Sequence, residues 1–343
     1  MSSRAPSGPT ATARTPVASA SDDGRRRTLA PRRRPGRVIG VVVIGAALLA
    51  LAGCGGDRPG DASRSGGRAR ADVNAPRATM PRFSHIVVIV LENKEYGEVI
   101  GDRHGPTFNR LARREALMTR YYGVAHPSLP NYVALVSGST QGIADDCIHC
   151  AVDRLDLVDS LEAGHRSWKT YAEGLPRAGF TGARNGSYTK KDNPLLYFKD
   201  VTRNPSRLDR IVPLGQFGRD LAADALPDFS LVVPDLCHDL HDCRLATGDA
   251  WLKRFLARLL ASPQLRRGVV FIVFDEGDKS DHSGGGGHTV ALAVGPAVRP
   301  RSRDTALLTH YSLLRTIEDA WGLPRLGRSR FAQPFAGIWR RGG

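Results

Sequence analysis

Of the 343 residues, the first 80 or so carry little that a core would bury, and residues 81–343 suffice for one large α/β domain. The formal charge of +15 overstates the basicity of the folded part, because nine Arg and two Asp up to Gly53 account for +7 and leave +8. That balance suits an anionic substrate or an acidic membrane surface. It does not point to nucleic acid, since the folded part has no basic run interleaved with aromatics.

The chain opens on a basic region holding Arg25, Arg26, Arg27, Arg32, Arg33, Arg34 and Arg37. An apolar stretch over residues 38–52 leads into Leu51-Ala52-Gly53-Cys54. It is too short for a comfortable membrane span and reads as the core of a signal peptide. Leu-Ala-Gly-Cys resembles a bacterial lipobox. Residues 1–53 are therefore expected to be a lipoprotein signal, with Cys54 the lipidated first residue of an exported protein at the outer face of the cytoplasmic membrane. Residues 54–80, rich in Gly, Ala, Asp, Arg, Ser and Pro, read as a tether spanning on the order of 30 Å.

In the folded part, His85 to Leu91 is a continuous Val/Ile run, the pattern of a strand buried on both faces. Helical spacing predicts a helix over 106–117 and another over 155–163, with a short strand at 167–171 between that helix and a further one at 216–226. A strand at 229–233 and a long amphipathic helix at 247–261 follow. Gly268 to Phe274 is the clearest buried strand, then come a strand at 289–294 and a helix at 310–321. Strands alternating with helices predict a mostly parallel sheet covered on both sides. Cys147, Cys150, Cys237 and Cys243 are an even number in an exported chain, so two disulfides are expected out of three pairings, as local bridges that include Cys237 to Cys243.

The polar residues fall where such a sheet places chemistry, outside the carboxyl ends of its strands. Glu92-Asn93 ends the first strand, Pro234-Asp235 a later one, and Asp275-Glu276 the clearest one. Glu92, Asn93, Asp275 and Glu276 offer oxygen ligands for one divalent metal ion: Ca²⁺, Mg²⁺, Mn²⁺ or, with histidine, Zn²⁺. Ser128-Leu129-Pro130-Asn131 reads as a helix start with Ser128 as its N-cap. Alone it is an ordinary Ser-Pro start. Beside two carboxylate pairs it becomes a hydroxyl nucleophile at a helix end whose free N–H groups suit a phosphate. His238, Asp239 and His241 lie in a loop dense in imidazole and carboxylate, suited to phosphate contact or leaving-group protonation. His126 would orient phosphate or the serine. Residues 278–288 read as a mobile loop, with His288 emerging from it as a ligand or phosphate contact, and His310 reads as structural. Residues 188–198 read as a wall of the site in which Lys190 and Lys191 are ordinary surface lysines.

Taken in order, Glu92-Asn93-Lys94-Glu95-Tyr96, His126-Pro127-Ser128-Leu129-Pro130-Asn131-Tyr132, Pro234-Asp235 with His238-Asp239-Leu240-His241-Asp242, and Asp275-Glu276-Gly277 resemble one family. It is the bacterial phosphoesterase family of acid phosphatases and phospholipases C, within the alkaline phosphatase superfamily. The resemblance implies an alkaline-phosphatase-like three-layer sandwich with one catalytic metal on Glu92, Asn93, Asp275 and Glu276, and Ser128 as nucleophile. It implies a phosphate contact for Asn131, and leaving-group and phosphate roles for His238, Asp239 and His241. Many relatives carry His-Asn-Pro where this chain has Asp192-Asn193-Pro194, and an aspartate there would repel a dianionic monoester. The expected function is metal-dependent hydrolysis of phosphate monoesters at the cell surface by a monomer. A phospholipase C-type phosphodiesterase and a non-catalytic phosphate-ester-binding lipoprotein are the alternatives.

Overall fold

Seven consecutive residues, His85–Leu91 (β1), show how the layers arise. Their β-branched side chains favour an extended, pleated backbone, and successive residues point to opposite faces. Ile86, Val88 and Val90 enter one apolar core, and Val87, Ile89 and Leu91 enter another. Both faces of the strand are therefore covered, at about 1.5–3 kcal/mol for each large side chain taken from water. The structure, a computed structural model, describes residues 80–340. The expected leader, Cys54 and all but the last residue of the tether lie outside the described residues.

The other strands of the main sheet are Ala116–Tyr122 (β2), Trp168–Ala172 (β3), Ile211–Pro213 (β4), Phe229–Val233 (β5), Gly268–Phe274 (β6), His288–Val294 (β7), Arg303–Asp304 (β8) and Leu308–Thr309 (β9). Their order is β8-β2-β7-β6-β1-β5-β3-β4, with β9 also paired to β2. Every pairing is parallel except the two made by β7, which runs antiparallel to β2 and β6. Helices Ser128–Ser137 (α2), Leu157–Ala163 (α3) and His310–Trp321 (α6) pack on one face. Pro106–Arg114 (α1), Gly215–Ala222 (α4) and Leu245–Ala261 (α5) pack on the other. This is the expected α/β sandwich of three layers, its central sheet mostly parallel.

Local chemistry moves several expected boundaries. The helix expected over 106–117 stops at Arg114, and Ala116–Tyr122 is a strand, with Leu117 paired to Leu292 across β7. The next helix begins at Leu157 because Asp156 caps it: its Oδ1 accepts from the Val158 N–H at 2.7 Å and the Asp159 N–H at 3.3 Å. Leu155 stays outside, largely exposed. The helix expected to reach residue 226 ends at Ala222, and Asp224 then adopts φ 55°, the left-handed region that stops a helix. Both expected disulfides are present, Cys147–Cys150 and Cys237–Cys243.

Candidate active site

The carboxyl ends of β1, β2, β3, β5 and β6 and the amino end of the reversed β7 share one edge of the sheet, and the site is built there. β1 runs into Glu92 and Asn93. Asn93 takes φ 50°, a conformation asparagine tolerates, and its backbone N–H donates to Asp275 Oδ1 at 3.1 Å. This ties the end of β1 to the end of β6. β2 leads through residues 123–127 into α2. Pro127 is the N-cap, and Ser128 is the first helical residue, so the expected capping role is not the one the hydroxyl plays. Instead Ser128 Oγ lies 3.1 Å from Glu92 Oε2, 3.2 Å from Glu276 Oε1 and 3.3 Å from Asn93 Oδ1, with the residue 2% exposed. The helix start expected to be free is partly used: the Leu129 N–H donates to Asp146 Oδ1 at 2.9 Å.

One hydroxyl proton faces three acceptor oxygens and can serve only one of them at a time. Glu92 Oε1, Asp275 Oδ2 and Asp239 Oδ2 are also buried without any hydrogen bond. Burial, followed by the charge of Glu92, pushes Asp239 up to about 9 and Asp275 well above the usual carboxylate range. Converging hard oxygens suit a divalent cation, and Glu92, Asn93, Asp275 and Glu276 could hold one.

The sequence profile of the phosphoesterase family matches residues 102–324. The chain belongs to the phosphoesterase family. A phosphatidylinositol-3-phosphatase of Mycobacterium tuberculosis is 32% identical over 269 residues, covering 78% of this chain and 86% of that protein. A phosphate-repressible acid phosphatase of Penicillium chrysogenum is 31% identical over 280 residues, which span 76% of this chain and 66% of the fungal one. A solved protein of the alkaline phosphatase superfamily from Vibrio parahaemolyticus superposes with a TM-score of 0.51 at 15% identity, over 76% of this chain and 72% of that one. That likeness carries the fold. The phosphoesterase is thus an enzyme, a hydrolase of phosphate esters.

Several side chains of this phosphoesterase do something other than what its sequence suggested. Asn131, expected to meet phosphate, is fully buried and uses its whole amide on the loop before Ser128. Its Oδ1 accepts from the Val124 and Ala125 N–H groups at 2.7 and 3.1 Å, and its Nδ2 donates to the Ala125 and Pro127 carbonyls at 2.7 and 3.2 Å. His126 has Nδ1 2.7 Å from Glu276 Oε2 and Nε2 2.9 Å from the Asp281 carbonyl, so it connects to Ser128 through Glu276. His288, paired across from Tyr122, is sandwiched between the rings of Tyr96 and Tyr122, with Nε2 3.0 Å from the Thr119 carbonyl. It is a packing residue here. His310 is structural, as expected. Buried and pushed down to about 4, it stays neutral, donating from Nε2 to the Asp275 carbonyl and accepting the Tyr121 hydroxyl at Nδ1.

The loop expected to be mobile, 278–288, is pinned. The Gly277 N–H donates to the Gly286 carbonyl at 2.8 Å, the Gly286 N–H to the Gly123 carbonyl at 3.1 Å, and the Gly123 N–H to the Gly287 carbonyl at 3.0 Å. A Cβ on Gly123 would sit 2.5 Å from the Gly286 carbonyl oxygen, so the two loops meet backbone to backbone.

Across the site, the loop after β5 is braced by the Cys237–Cys243 disulfide and turns on Leu240, which is buried at φ 86° against Gly248. Asp239 accepts the His241 N–H at 2.8 Å, and its carbonyl accepts the Glu92 N–H at 2.8 Å. The His241 ring turns its Nδ1 to Asp242 Oδ1 at 2.7 Å. His238 turns the other way, its Nδ1 3.0 Å from Glu173 Oε2 and 3.3 Å from Asp235 Oδ1, its ring stacked on Trp251.

Lys191 was missed. Far from being a surface lysine, it is 7% exposed, its Nζ 2.8 Å from Glu92 Oε2 and 2.6 Å from Asp192 Oδ1. Burial raises both carboxylates; at Glu92 the ammonium and the hydrogen bonds from Asp192 and Lys191 more than offset it and the pKa ends low, while at Asp192 the charge of Glu92 adds to burial and the pKa ends high. Asp192 is thus held in a buried ion pair with Lys191 rather than presented to the substrate as a free charge. The available signal was the apolar run Leu195-Leu196-Tyr197-Phe198 just beyond, every residue of which is buried and draws the preceding turn inward.

Proposed function

We propose that this phosphoesterase cleaves phosphate monoesters through a Ser128 nucleophile, on the outer face of a membrane to which a lipid on Cys54 anchors it. The observation that carries the mechanism is the placement of the buried Ser128 hydroxyl within 3.3 Å of three oxygen acceptors, two of them carboxylates. Glu92, Asn93, Asp275 and Glu276 would hold one divalent cation, which when bound supplies positive charge to the hydroxyl and to the phosphoryl oxygens. As Ser128 Oγ bonds to phosphorus, the ester P–O bond breaks in line, and the hydroxyl proton passes to Glu276, the carboxylate that burial holds above its ordinary pKa. His126, fixed on Glu276, holds that carboxylate in place. His241, on the Glu92 side, protonates the departing oxygen. Water then hydrolyses the phosphoserine. The monoester preference is supported by relatives named acid phosphatase and phosphatidylinositol-3-phosphatase.

The test is an acid quench during turnover of a ³²P-labelled monoester, followed by mapping of the label. Label on Ser128, absent from Ser128→Ala, is expected. Label on another residue, or turnover retained in Ser128→Ala, refutes the assignment.

A further inference from the structure

Three carboxylates meet beside the nucleophile. Glu92, Asp192 and Asp239 are all buried, and each brings an oxygen within 4.8 Å of the other two. They arrive from separate parts of the chain: the end of β1, the turn at Lys190–Asp192, and the loop after β5. Two of their oxygens, Glu92 Oε1 and Asp239 Oδ2, have no hydrogen-bond partner. A buried cage of converging carboxylate oxygens is the donor set a hard divalent cation takes. Here an ammonium stands at two of its corners, with Lys191 Nζ on Glu92 Oε2 and Asp192 Oδ1. Withdrawing it would leave buried carboxylates facing one another without compensation.

We propose that this cage is a second cation position of the site, that Lys191 is its resident cation, and that the lysine thereby restricts the enzyme to a single divalent ion. The inference rests on the reading of Glu92, Asn93, Asp275 and Glu276 as holders of that ion. Glu92 belongs to both positions, so charge placed in the cage acts directly on the ligand set beside it. A tethered ammonium supplies one positive charge that neither chelators nor metal scarcity removes.

The experiment counts metal ions. Metal-free wild type, Lys191→Met, Lys191→Arg and Lys191→Met/Asp239→Asn are dialysed against Mn²⁺, the bound ions per chain are measured by mass spectrometry, and electron paramagnetic resonance reports whether two ions are spin-coupled. One ion is expected in wild type and in Lys191→Arg, two coupled ions in Lys191→Met, and one again in the double variant. Circular dichroism checks that each variant folds, and Lys191→Gln, which keeps a polar side chain without the charge, replaces Lys191→Met if that variant does not. A folded Lys191→Met or Lys191→Gln that still binds one ion overturns the proposal, as does a wild type that binds two. A wild type that binds none overturns the metal reading beneath it, and with it the cage.

Discussion

Replacing Asn131 by alanine separates two roles for the same side chain. A phosphate contact, as the family resemblance implies, makes Asn131→Ala weaken substrate and phosphate binding and leave the fold alone. The structure instead gives the amide four hydrogen bonds, all to backbone of residues 124–127, at 2.7 to 3.2 Å. Each such bond contributes a net ~1 kcal/mol, and a buried partner left unpaired costs more. The four together place the loss at about 3–5 kcal/mol, a drop on the order of 10 °C in Tm for a domain of this size. Because those residues lead directly into Ser128, kcat should fall with stability. Asn131→Asp, which keeps the acceptor but sets a carboxylate against the Ala125 and Pro127 carbonyls, should be destabilised as well. Thermal and urea denaturation measure the fold, and competitive inhibition by inorganic phosphate measures the site. Stability unchanged within about 0.5 kcal/mol, with phosphate inhibition weakened tenfold, would refute the reasoning.

Further predictions concern other groups. Asp156, pushed up to about 8 by burial and then by Asp200 and Asp159, keeps in the folded state a proton that the unfolded chain releases near pH 4. Stability should therefore fall as pH rises from about 4 to about 8, and Asp156→Asn, whose Oδ1 still caps α3, should flatten that slope and raise Tm at pH 8; a slope that survives the substitution sinks the assignment. His241→Ala should lower kcat about 10²-fold on alkyl phosphates and much less on p-nitrophenyl phosphate, whose leaving group needs no proton; His238→Ala should show a smaller contrast. Replacing Cys237 and Cys243 together by serine should cost about 2 kcal/mol from the short loop they close and lower kcat through His241 and Asp239, measured by denaturation and steady-state kinetics.

Strands buried on both faces were legible because their residues are nearly all apolar, and β1, β5 and β6 lie where those runs put them. The polar residues that end those strands were legible for the same reason. The strand Ala116–Tyr122 was not: Thr119 and Arg120 interrupt its apolar pattern, and its ladder shifts register between Met118 and Tyr121, so helical spacing from the preceding segment ran on through it. The reversal of β7 is a property of its neighbours and leaves no local mark. Lys191 and Asn131 show the same limit at the site. The fate of Lys191 is set by Glu92, 99 residues away, and that of Asn131 by a loop whose path depends on Gly286.

The backbone seam between residues 123–125 and 286–287 divides the site into two unequal halves. On that side the nucleophile and Glu276 are carried by loops joined through peptide groups, and a substitution that adds a side chain there meets main chain. The opposite side, from Glu173 through Lys191 to His241, is shaped by side chains. Change is therefore accommodated more readily on that second side, while the backbone that supports the nucleophile stays fixed.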